Sequence, residues 1–285
     1  MSGAAERLAD GANEFAVIGG SGFEGLDLDG RAVLPRRESP WGTVPEIAVG
    51  ELAGRRVAFA PRHGVGHRVP PHRVNARALL WGLRTLGPRV LLSTNAVGGL
   101  DAGLRPGDFV LTDQLIDRTH GRADTYFDGE PGGAGVQHLP FADPYDRGLR
   151  RIAHEVLQKA DERVHPSGTS VVIQGPRFAT AAEARWHRAM GAHLVNMTQL
   201  PEAALAAELG FAHLNIAIVT DTDTEHGDTD TDTSATAERV FAVMAGAQSR
   251  LSAAVTAIIA AIPTGYAPAP RLAPEAVELL IGGQG

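Results

Sequence analysis

The sequence contains no cysteine among its 285 residues. This absence excludes disulfide bonds, thiolate metal ligands and a cysteine nucleophile, and it suits a reducing compartment. We therefore expect a cytoplasmic protein. Long apolar runs are missing as well, because the first 13 residues have no apolar core and no later run approaches the ~18 apolar residues of a membrane helix. We expect a soluble protein with no membrane partner.

A surplus of positive charge is also lacking, since the formal net charge is −7 at pH 7. A protein that binds nucleic acid needs a basic face to neutralise the backbone phosphates. We therefore expect no nucleic-acid partner. A small anion could still bind, but it would need an arginine placed locally for it.

The composition and the pattern of apolar residues indicate one α/β domain. With 44% hydrophobic and 21% charged residues, the chain can bury one large core, and no linker divides it. We predict a single domain over 1–285, with peripheral tails at 1–13 and 264–285. Short runs rich in Val, Ile and Leu alternate with helical patterns, as in sheets packed between helices. We predict one strand in GDFVLTDQLID, a long loop over 120–145 and one helix over 236–262.

A glycine turn follows the first apolar run, in FAVIGGSGFEG, and its Gly20, Gly22 and Gly25 have the spacing G-x-G-x-x-G. A dinucleotide site needs a helix directly after that turn, because the pyrophosphate sits on the helix N-terminus. The next residues are LDLDGRAVLPRRESPWG, in which Gly30, Pro35 and Pro40 oppose a helix. Two interpretations remain: an anion-binding turn around Ser21, or a tight turn with serine as a filler.

Three more strand ends carry groups that suit an anion. Arg62 and His63 follow a strand, TNAVGG offers backbone amides around Asn95 and Ala96, and Thr198 stands just ahead of a helix N-terminus. Ligands of open α/β sheets collect at the carboxyl ends of strands. One phosphate-sized site built from all four strand ends is therefore the favoured hypothesis, with structural roles for the histidines as the alternative.

Two patterns resemble metal sites without meeting their requirements. The acidic run DTDTEHGDTDTDT has no glycine at the sixth position from Asp221 or Asp228 and no glutamate at the twelfth, as a calcium loop requires. His63 and His67 are four residues apart, but glycines lie between them and the glutamate of a zinc helix is missing. We expect no metal.

The motifs, in their order along the chain, resemble the trimeric purine nucleoside phosphorylases, and within them the methylthioadenosine phosphorylase branch. They are IGGSG, RHGVGH, NARALLWGL, TNAVGGL, GDFVLTDQLIDRT, HLPFADPY, GPRF, NMTQLPEAALA and TDTD. The resemblance implies an α/β fold in which helices flank a central mixed, barrel-like β-sheet. It also implies a homotrimer that uses inorganic phosphate as co-substrate, with no metal and no organic cofactor. In that family phosphate attacks C1′ of the ribose and the purine leaves.

The same resemblance implies roles for individual residues. The phosphate would contact Ser21, Arg62, His63, Asn95, Ala96 and Thr198. Asp221 and Asp223 would be catalytic and would face the base. The nucleoside would also meet Phe178, Ala179, Asn196, Met197, Ala237, Val240 and Phe241, together with His138 from a neighbouring subunit.

Cleavage of the N-glycosidic bond loads negative charge onto the purine, so a proton donor at N7 speeds its departure. Burial and the like charge of Asp223 would keep the carboxyl of Asp221 protonated for this task. Alternatively, an ionised Asp221 could accept a hydrogen bond from an amino group. Ala179 and Asp221 stand where the 6-oxopurine branch has Glu and Asn, which favours adenine.

At the start of the helix predicted over 236–262, Ala237, Val240 and Phe241 would form an apolar wall. This wall favours a 5′-methylthio group over a hydroxyl. The predicted function is therefore phosphorolysis of a 5′-deoxy-5′-substituted adenosine. The alternatives are a 5′-halo-5′-deoxyadenosine substrate, a 6-oxopurine nucleoside or methylthioinosine phosphorylase, a nucleoside hydrolase, and a nucleoside-binding protein without turnover.

Overall fold

The structure is a computed structural model that describes residues 13–129, 135–222 and 236–282. Its strands are β1 (Phe15–Gly19), β2 (Asp29–Leu34), β3 (Ile47–Leu52), β4 (Arg55–Pro61), β5 (Val90–Gly99), β6 (Phe109–Leu111), β7 (Gln114–Arg118), β8 (Val164–His165), β9 (Thr169–Ile173), β10 (Leu194–Asn196) and β11 (Ala212–Thr222). Its helices are α1 (Ala76–Arg84), α2 (Arg147–Lys159), α3 (Ala181–Ala189), α4 (Gln199–Glu208), α5 (Ala237–Ala261) and α6 (Pro274–Gly282), with a 3-10 turn at Pro71–Arg73.

The strands form one mixed sheet of eleven strands. One path runs β2-β3-β4-β1-β5-β10-β9-β7, and a branch leaves β5 through β11 to β6 and β8. In the centre, β1 is parallel to both β4 and β5, and β5 is parallel to β11. The predicted α/β fold with a mixed sheet and flanking helices is confirmed. Within the described residues the two branches do not pair, so the barrel-like sheet stays open.

Both faces of the central strands are buried, which explains why β1 is apolar throughout. Phe15 and Val17 point into a core that includes Leu251 and Val255 of α5. Their neighbours along the strand, such as Ile18, point to the opposite face, where α1 and α4 pack. The alternation of side chains along the strand therefore feeds the two largest hydrophobic cores, one on each face of the sheet.

The single strand predicted in GDFVLTDQLID is wrong, because the structure has two short strands there, β6 and β7. β6 pairs with β11 and β8, whereas β7 pairs with β9. The chain thus crosses between the two branches of the sheet at Thr112 and Asp113. The Asp113 carboxylate accepts a hydrogen bond from the Gly168 N–H at 3.0 Å and marks the break.

The segment after the glycine turn forms β2, a strand that pairs with β3, and in the described structure no helix lies between Gly25 and β2. The context required for a dinucleotide fingerprint is therefore missing, as the sequence indicated.

The helix predicted over 236–262 is α5, with Thr236 as its N-cap. By length and composition alone it could cross a membrane. Charged residues such as Arg250 interrupt its apolar sequence. One stripe of α5, including Met244, Leu251 and Ile258, is buried in the first core.

Candidate active site

A cavity of about 260 Å3 opens where β1, β4, β5, β10 and β11 end. The structure places in its lining every described residue that the sequence marked for the site, apart from His138. These residues are Ser21, Arg62, His63, Asn95, Ala96, Phe178, Ala179, Asn196, Met197, Thr198, Asp221, Ala237, Val240 and Phe241.

The parallel register of the central strands brings the anion-suited groups together. Ser21 follows β1, Arg62 follows β4, and Asn95 lies within β5. Because β1 is hydrogen-bonded to both other strands in parallel, their carboxyl ends meet at one edge of the sheet. Groups far apart in sequence therefore share one cavity.

The glycine turn is shaped by close packing. The Gly20 N–H donates to Thr94 Oγ1 at 3.0 Å. A Cβ on Gly20 would lie 2.4 Å from the Thr94 carbonyl oxygen and 2.9 Å from Arg62 Nη1. Glycine at position 20 therefore lets the turn lie directly against β5 and the Arg62 guanidinium, which leaves Ser21 at the cavity.

Arg62 is held rigidly by a buried carboxylate that the sequence reasoning missed. Its Nε and Nη2 donate to the two carboxylate oxygens of Glu202 at 2.7 and 2.9 Å, and its Nη1 donates to the Thr94 carbonyl oxygen at 2.9 Å. The side chains of Arg62 and Glu202 are only 1% and 3% exposed. These bonds use three of the five N–H groups of a guanidinium, so two remain for another acceptor.

Thr198 is the N-cap residue of α4, but its side chain makes no capping bond. Instead, its Oγ1 accepts a hydrogen bond from Asn95 Nδ2 at 3.0 Å. Asn95 Oδ1 in turn accepts from Asn215 Nδ2 at 2.6 Å. Because the Thr198 oxygen is oriented by an amide donor, its own hydroxyl hydrogen can be donated to an anion.

Asn196 fixes the backbone of the same segment. Its Oδ1 accepts hydrogen bonds from the N–H groups of Thr198 and Gln199 at 2.7 and 2.8 Å. Its Nδ2 donates to the Ala96 carbonyl oxygen at 3.2 Å. The start of α4 is therefore tied to β5 at the floor of the cavity.

The two histidines of RHGVGH stack at one side of the cavity. His63 Nδ1 lies 2.8 Å from the Val69 carbonyl oxygen, and since a carbonyl only accepts, Nδ1 carries the proton. Burial and the charge of Arg62 lower the pKa of His63 to about 3, so the ring is neutral at pH 7 and Nε2 is an acceptor. His67 lies 4.2 Å from His63 and 5.2 Å from Phe241, between ring centroids.

Asp221 lies near the end of β11 and is 3% exposed. It is paired with Gly98 of β5, whereas Arg62 bonds to Thr94, so the two groups face different parts of that strand. The pairing of β11 with β5 shifts register between Val219 and Asp221, so a bulge sets the position of the aspartate. Asp221 Oδ1 accepts a hydrogen bond from Thr220 Oγ1 at 2.7 Å. Gly98 gives it room, because a Cβ there would lie 3.2 Å from Asp221 Oδ2.

Apolar side chains also line the cavity. Phe178 and Ala179 lie on the turn after β9, and Val195 and Met197 lie on or next to β10. The cavity thus has a polar end, built on Arg62 beside Thr94, and a second end, beside Gly98, that holds the carboxyl of Asp221.

Comparison with known proteins fits this arrangement. Residues 14–260 match the family described as the phosphorylase superfamily. The chain belongs to the phosphorylase superfamily.

Relatives within the phosphorylase superfamily carry more than one substrate name. S-methyl-5′-thioadenosine phosphorylase of Mycolicibacterium smegmatis is 50% identical over 208 residues, which cover 72% of this chain and 75% of the relative. A probable 6-oxopurine nucleoside phosphorylase of Thermococcus kodakarensis is 44% identical, over 72% of this chain and 78% of the relative. The structure of methylthioadenosine phosphorylase from Schistosoma mansoni in complex with adenine has a TM-score of 0.81 and 31% identity, covering 87% of this chain and 91% of that one.

One predicted residue that the structure describes, His138, does not line the cavity of this phosphorylase-superfamily chain. It is exposed, on the segment between β7 and α2. Asp223 lies outside the described residues. Within the three described ranges, no group of three or more His, Asp or Glu side chains is placed to hold a metal ion.

Sequence reasoning missed the supporting residues Glu202 and Asn215. Asn215 is fully buried in β11, and its Oδ1 also accepts hydrogen bonds from Thr112 and Gln199. A polar residue inside the apolar run AHLNIAIV was a usable signal, because buried amides need partners. Glu202 gave none beyond an acidic residue in the first turn of a helix.

Proposed function

We propose that this chain cleaves the N-glycosidic bond of a 5′-deoxy-5′-substituted adenosine with inorganic phosphate, and that 5′-methylthioadenosine is its substrate. The products are adenine and a 5-substituted ribose 1-phosphate. The observation that carries this proposal is one cavity lined both by donors around Arg62, which bonds to Thr94 of β5, and by Asp221, which is paired with Gly98 four residues further along the same strand.

The polar end suits phosphate. The two remaining Arg62 N–H groups, the Thr198 hydroxyl and Ser21 offer donors to an anion. Arg62 and Glu202 together carry no net charge, so phosphate binding depends on directed hydrogen bonds more than on net charge. Neutral His63 can accept a hydrogen bond from a protonated phosphate oxygen or a ribose hydroxyl through Nε2.

The reaction transfers the ribose from nitrogen to oxygen. A phosphate oxygen forms a bond to C1′ while the C1′–N9 bond breaks and its electron pair moves onto the purine. Donors held rigidly around the phosphate place the nucleophile below the sugar without reorganisation during the step. A proton delivered at N7 then stabilises the leaving base, and Asp221 is the carboxyl placed for that role.

Base choice follows from the same residue. Asp221 Oδ1 already accepts from Thr220, and while the protonated carboxyl donates its O–H to N7, its carbonyl oxygen can also accept a hydrogen bond from the 6-amino group of adenine. A 6-carbonyl would face an acceptor and leave a buried polar group unpaired, which costs affinity. Ala179, with no side-chain polar group, adds no partner for a carbonyl.

The wall at the start of α5 suits an apolar 5′ substituent. Ala237, Val240 and Phe241 follow the i, i+3, i+4 spacing and all line the cavity. A 5′-hydroxyl against this wall would lose water without gaining a partner there, whereas a methylthio group would bury apolar surface. A 5′-halogen would also bury apolar surface against this wall.

A second candidate is a 6-oxopurine nucleoside phosphorylase. It is favoured by the relative of that name at 44% identity. Both candidates use the same phosphate end and differ at the base.

Assembly and location are also part of the proposal. We propose a homotrimer in which exposed His138 reaches the cavity of a neighbouring subunit. The absence of cysteine supports a cytoplasmic enzyme, and no metal or organic cofactor is required by the proposed step.

A panel of nucleosides tests base and 5′ choice together. The panel is 5′-methylthioadenosine, 5′-chloro-5′-deoxyadenosine, adenosine, methylthioinosine and inosine, each assayed with saturating phosphate and ranked by kcat/KM. We expect the 5′-substituted adenosines to rank above adenosine by ~10-fold and above both inosines by ~10²-fold or more. Inosine at the top of the ranking would support the 6-oxopurine candidate and contradict the proposed base choice.

A further inference from the structure

Arg122 joins two segments of the site from behind. Its guanidinium donates hydrogen bonds to Gln174 Oε1 at 3.2 Å, to the Gln174 carbonyl oxygen at 2.8 Å, and to the carbonyl oxygens of Met197 and Leu200 at 2.9 and 2.7 Å. Arg122 lines a second cavity of about 310 Å3, which shares Arg62, Pro71 and Thr198 with the first. It does not line the first cavity, so it is placed to support the site without touching a substrate there.

The two segments face different ligands in the proposed reaction. Gln174 follows β9 and leads into the turn that carries Phe178 and Ala179 at the base end. Met197 and Leu200 flank Thr198 at the phosphate end. Arg122 therefore links a base-facing turn to the phosphate-facing start of α4.

The same two segments touch on the cavity side. A Cβ on Gly175 would lie 2.6 Å from Met197 Sδ, so the methionine packs directly against the backbone of the base-facing turn. A shift of one segment must therefore move the other or open a gap between them. The guanidinium of Arg122 opposes such a gap because its planar fork fixes the separation of the carbonyls it holds.

The loop that carries Arg122 has a second anchor. Thr125 Oγ1 donates to Glu208 Oε1 at 2.6 Å, and the Tyr126 N–H donates to Glu208 Oε2 at 2.7 Å. Glu208 is the last residue of α4, so the loop is tied to both ends of that helix. Replacement of Arg122 alone leaves this anchor intact, which separates its effect on the site from loss of the loop.

We propose that Arg122 is a positioning residue that couples the two subsites, so that a bound nucleoside raises the affinity for phosphate. A bound nucleoside packs on the turn after β9 and restricts its motion. Because Arg122 and Met197 connect this turn to the backbone at Thr198, that backbone is restricted as well, and the phosphate donors stay in position. By linkage, phosphate raises the affinity for nucleoside by the same factor. This inference rests on the proposed phosphorolysis, which supplies the two ligands.

Calorimetry on the full chain tests the coupling. The dissociation constant of inorganic phosphate is measured with and without a C-nucleoside analogue of 5′-methylthioadenosine, whose carbon–carbon glycosidic bond is not cleaved. For the wild-type protein we expect the analogue to tighten phosphate binding ~10-fold. For Arg122→Met we expect this ratio to fall to between one and two, and Arg122→Lys, which keeps the charge without the fork, is expected to fall in the same direction.

Arg77→Met is the matched control. Arg77 lines the same second cavity and holds the same loop, through Asp128 at 2.9 Å and the Thr125 carbonyl oxygen at 3.4 Å, but it bonds to neither segment of the site. We expect Arg77→Met to keep the wild-type ratio, even with a lower melting temperature. If Arg122→Met does not fold, Arg122→Lys carries the test.

Two results would overturn the inference and leave the proposed function standing. One is that the wild-type protein performs phosphorolysis but binds phosphate equally well with and without the analogue. The other is that the folded Arg122 variants keep the same ratio of phosphate dissociation constants as the wild type. A merely structural role would weaken each ligand separately and leave the ratio unchanged. A wild-type protein that binds the analogue but no phosphate would overturn the proposed function as well.

Discussion

Replacing Arg62 with methionine is expected to lower kcat/KM for phosphorolysis by ~10² to 10³-fold, because it removes the rigid donors at the phosphate end of the cavity. The same change leaves the Glu202 carboxylate buried without its partner, since both side chains are almost fully enclosed. We expect that to cost about 3–5 kcal/mol of unfolding free energy. The measurements are steady-state kinetics with varied phosphate and a denaturant titration.

A second variant separates these two effects of Arg62→Met. In the double variant Arg62→Met with Glu202→Gln, the buried negative charge is gone, so most of the lost stability is expected to return. Phosphorolysis is expected to stay as low as in the single variant. Recovery of kcat/KM together with stability would contradict the phosphate role of Arg62 and leave it a structural partner of Glu202.

Asp221→Asn is expected to reduce kcat/KM on 5′-methylthioadenosine by ~10²-fold, because asparagine cannot deliver a carboxyl proton to N7. The amide is nearly isosteric, and its N–H2 group can donate to a 6-carbonyl. The ratio of kcat/KM for methylthioinosine to that for methylthioadenosine is therefore expected to rise. Steady-state kinetics on this matched pair of nucleosides measures both effects.

Asp29→Asn serves as the control for the charge change, because Asp29 is exposed at the start of β2 and lies outside the cavity. It is expected to match the wild type on both nucleosides. Unchanged kinetics in Asp221→Asn, on both nucleosides, would rule out Asp221 as the residue that selects the base.

The polar end of the site could be predicted from sequence because its signals are local. Apolar runs that stop before Ser21, Arg62 and Thr198 mark strand ends. Parallel packing of β1, β4 and β5 gathers Ser21 and Arg62 at one edge, and β10, antiparallel to β5, brings Thr198 to Asn95 at the same place. The residues that support this end of the site could not be predicted, because they contact it from distant parts of the chain. Glu202 meets Arg62 across 140 positions of the chain, and Arg122 meets Met197 across 75.

Two features of the sheet, one of them beside Asp221, could not be predicted from local sequence patterns. The bulge between Val219 and Asp221 depends on how β11 pairs with β5, and no turn residue announces it. The break between β6 and β7 likewise follows from their different partner strands. Each of these features is set by which strands become neighbours, so it emerges only when the sheet is assembled.

The central claim is that inorganic phosphate is the nucleophile, and the dependence of base release on phosphate tests it most directly. Adenine release from 5′-methylthioadenosine is followed in phosphate-free buffer and at increasing phosphate, with the sugar product identified by 31P NMR. The expected result is negligible release without phosphate and one ribose 1-phosphate formed per adenine. Adenine release at full rate without phosphate, with a free sugar as product, would contradict phosphate as the nucleophile.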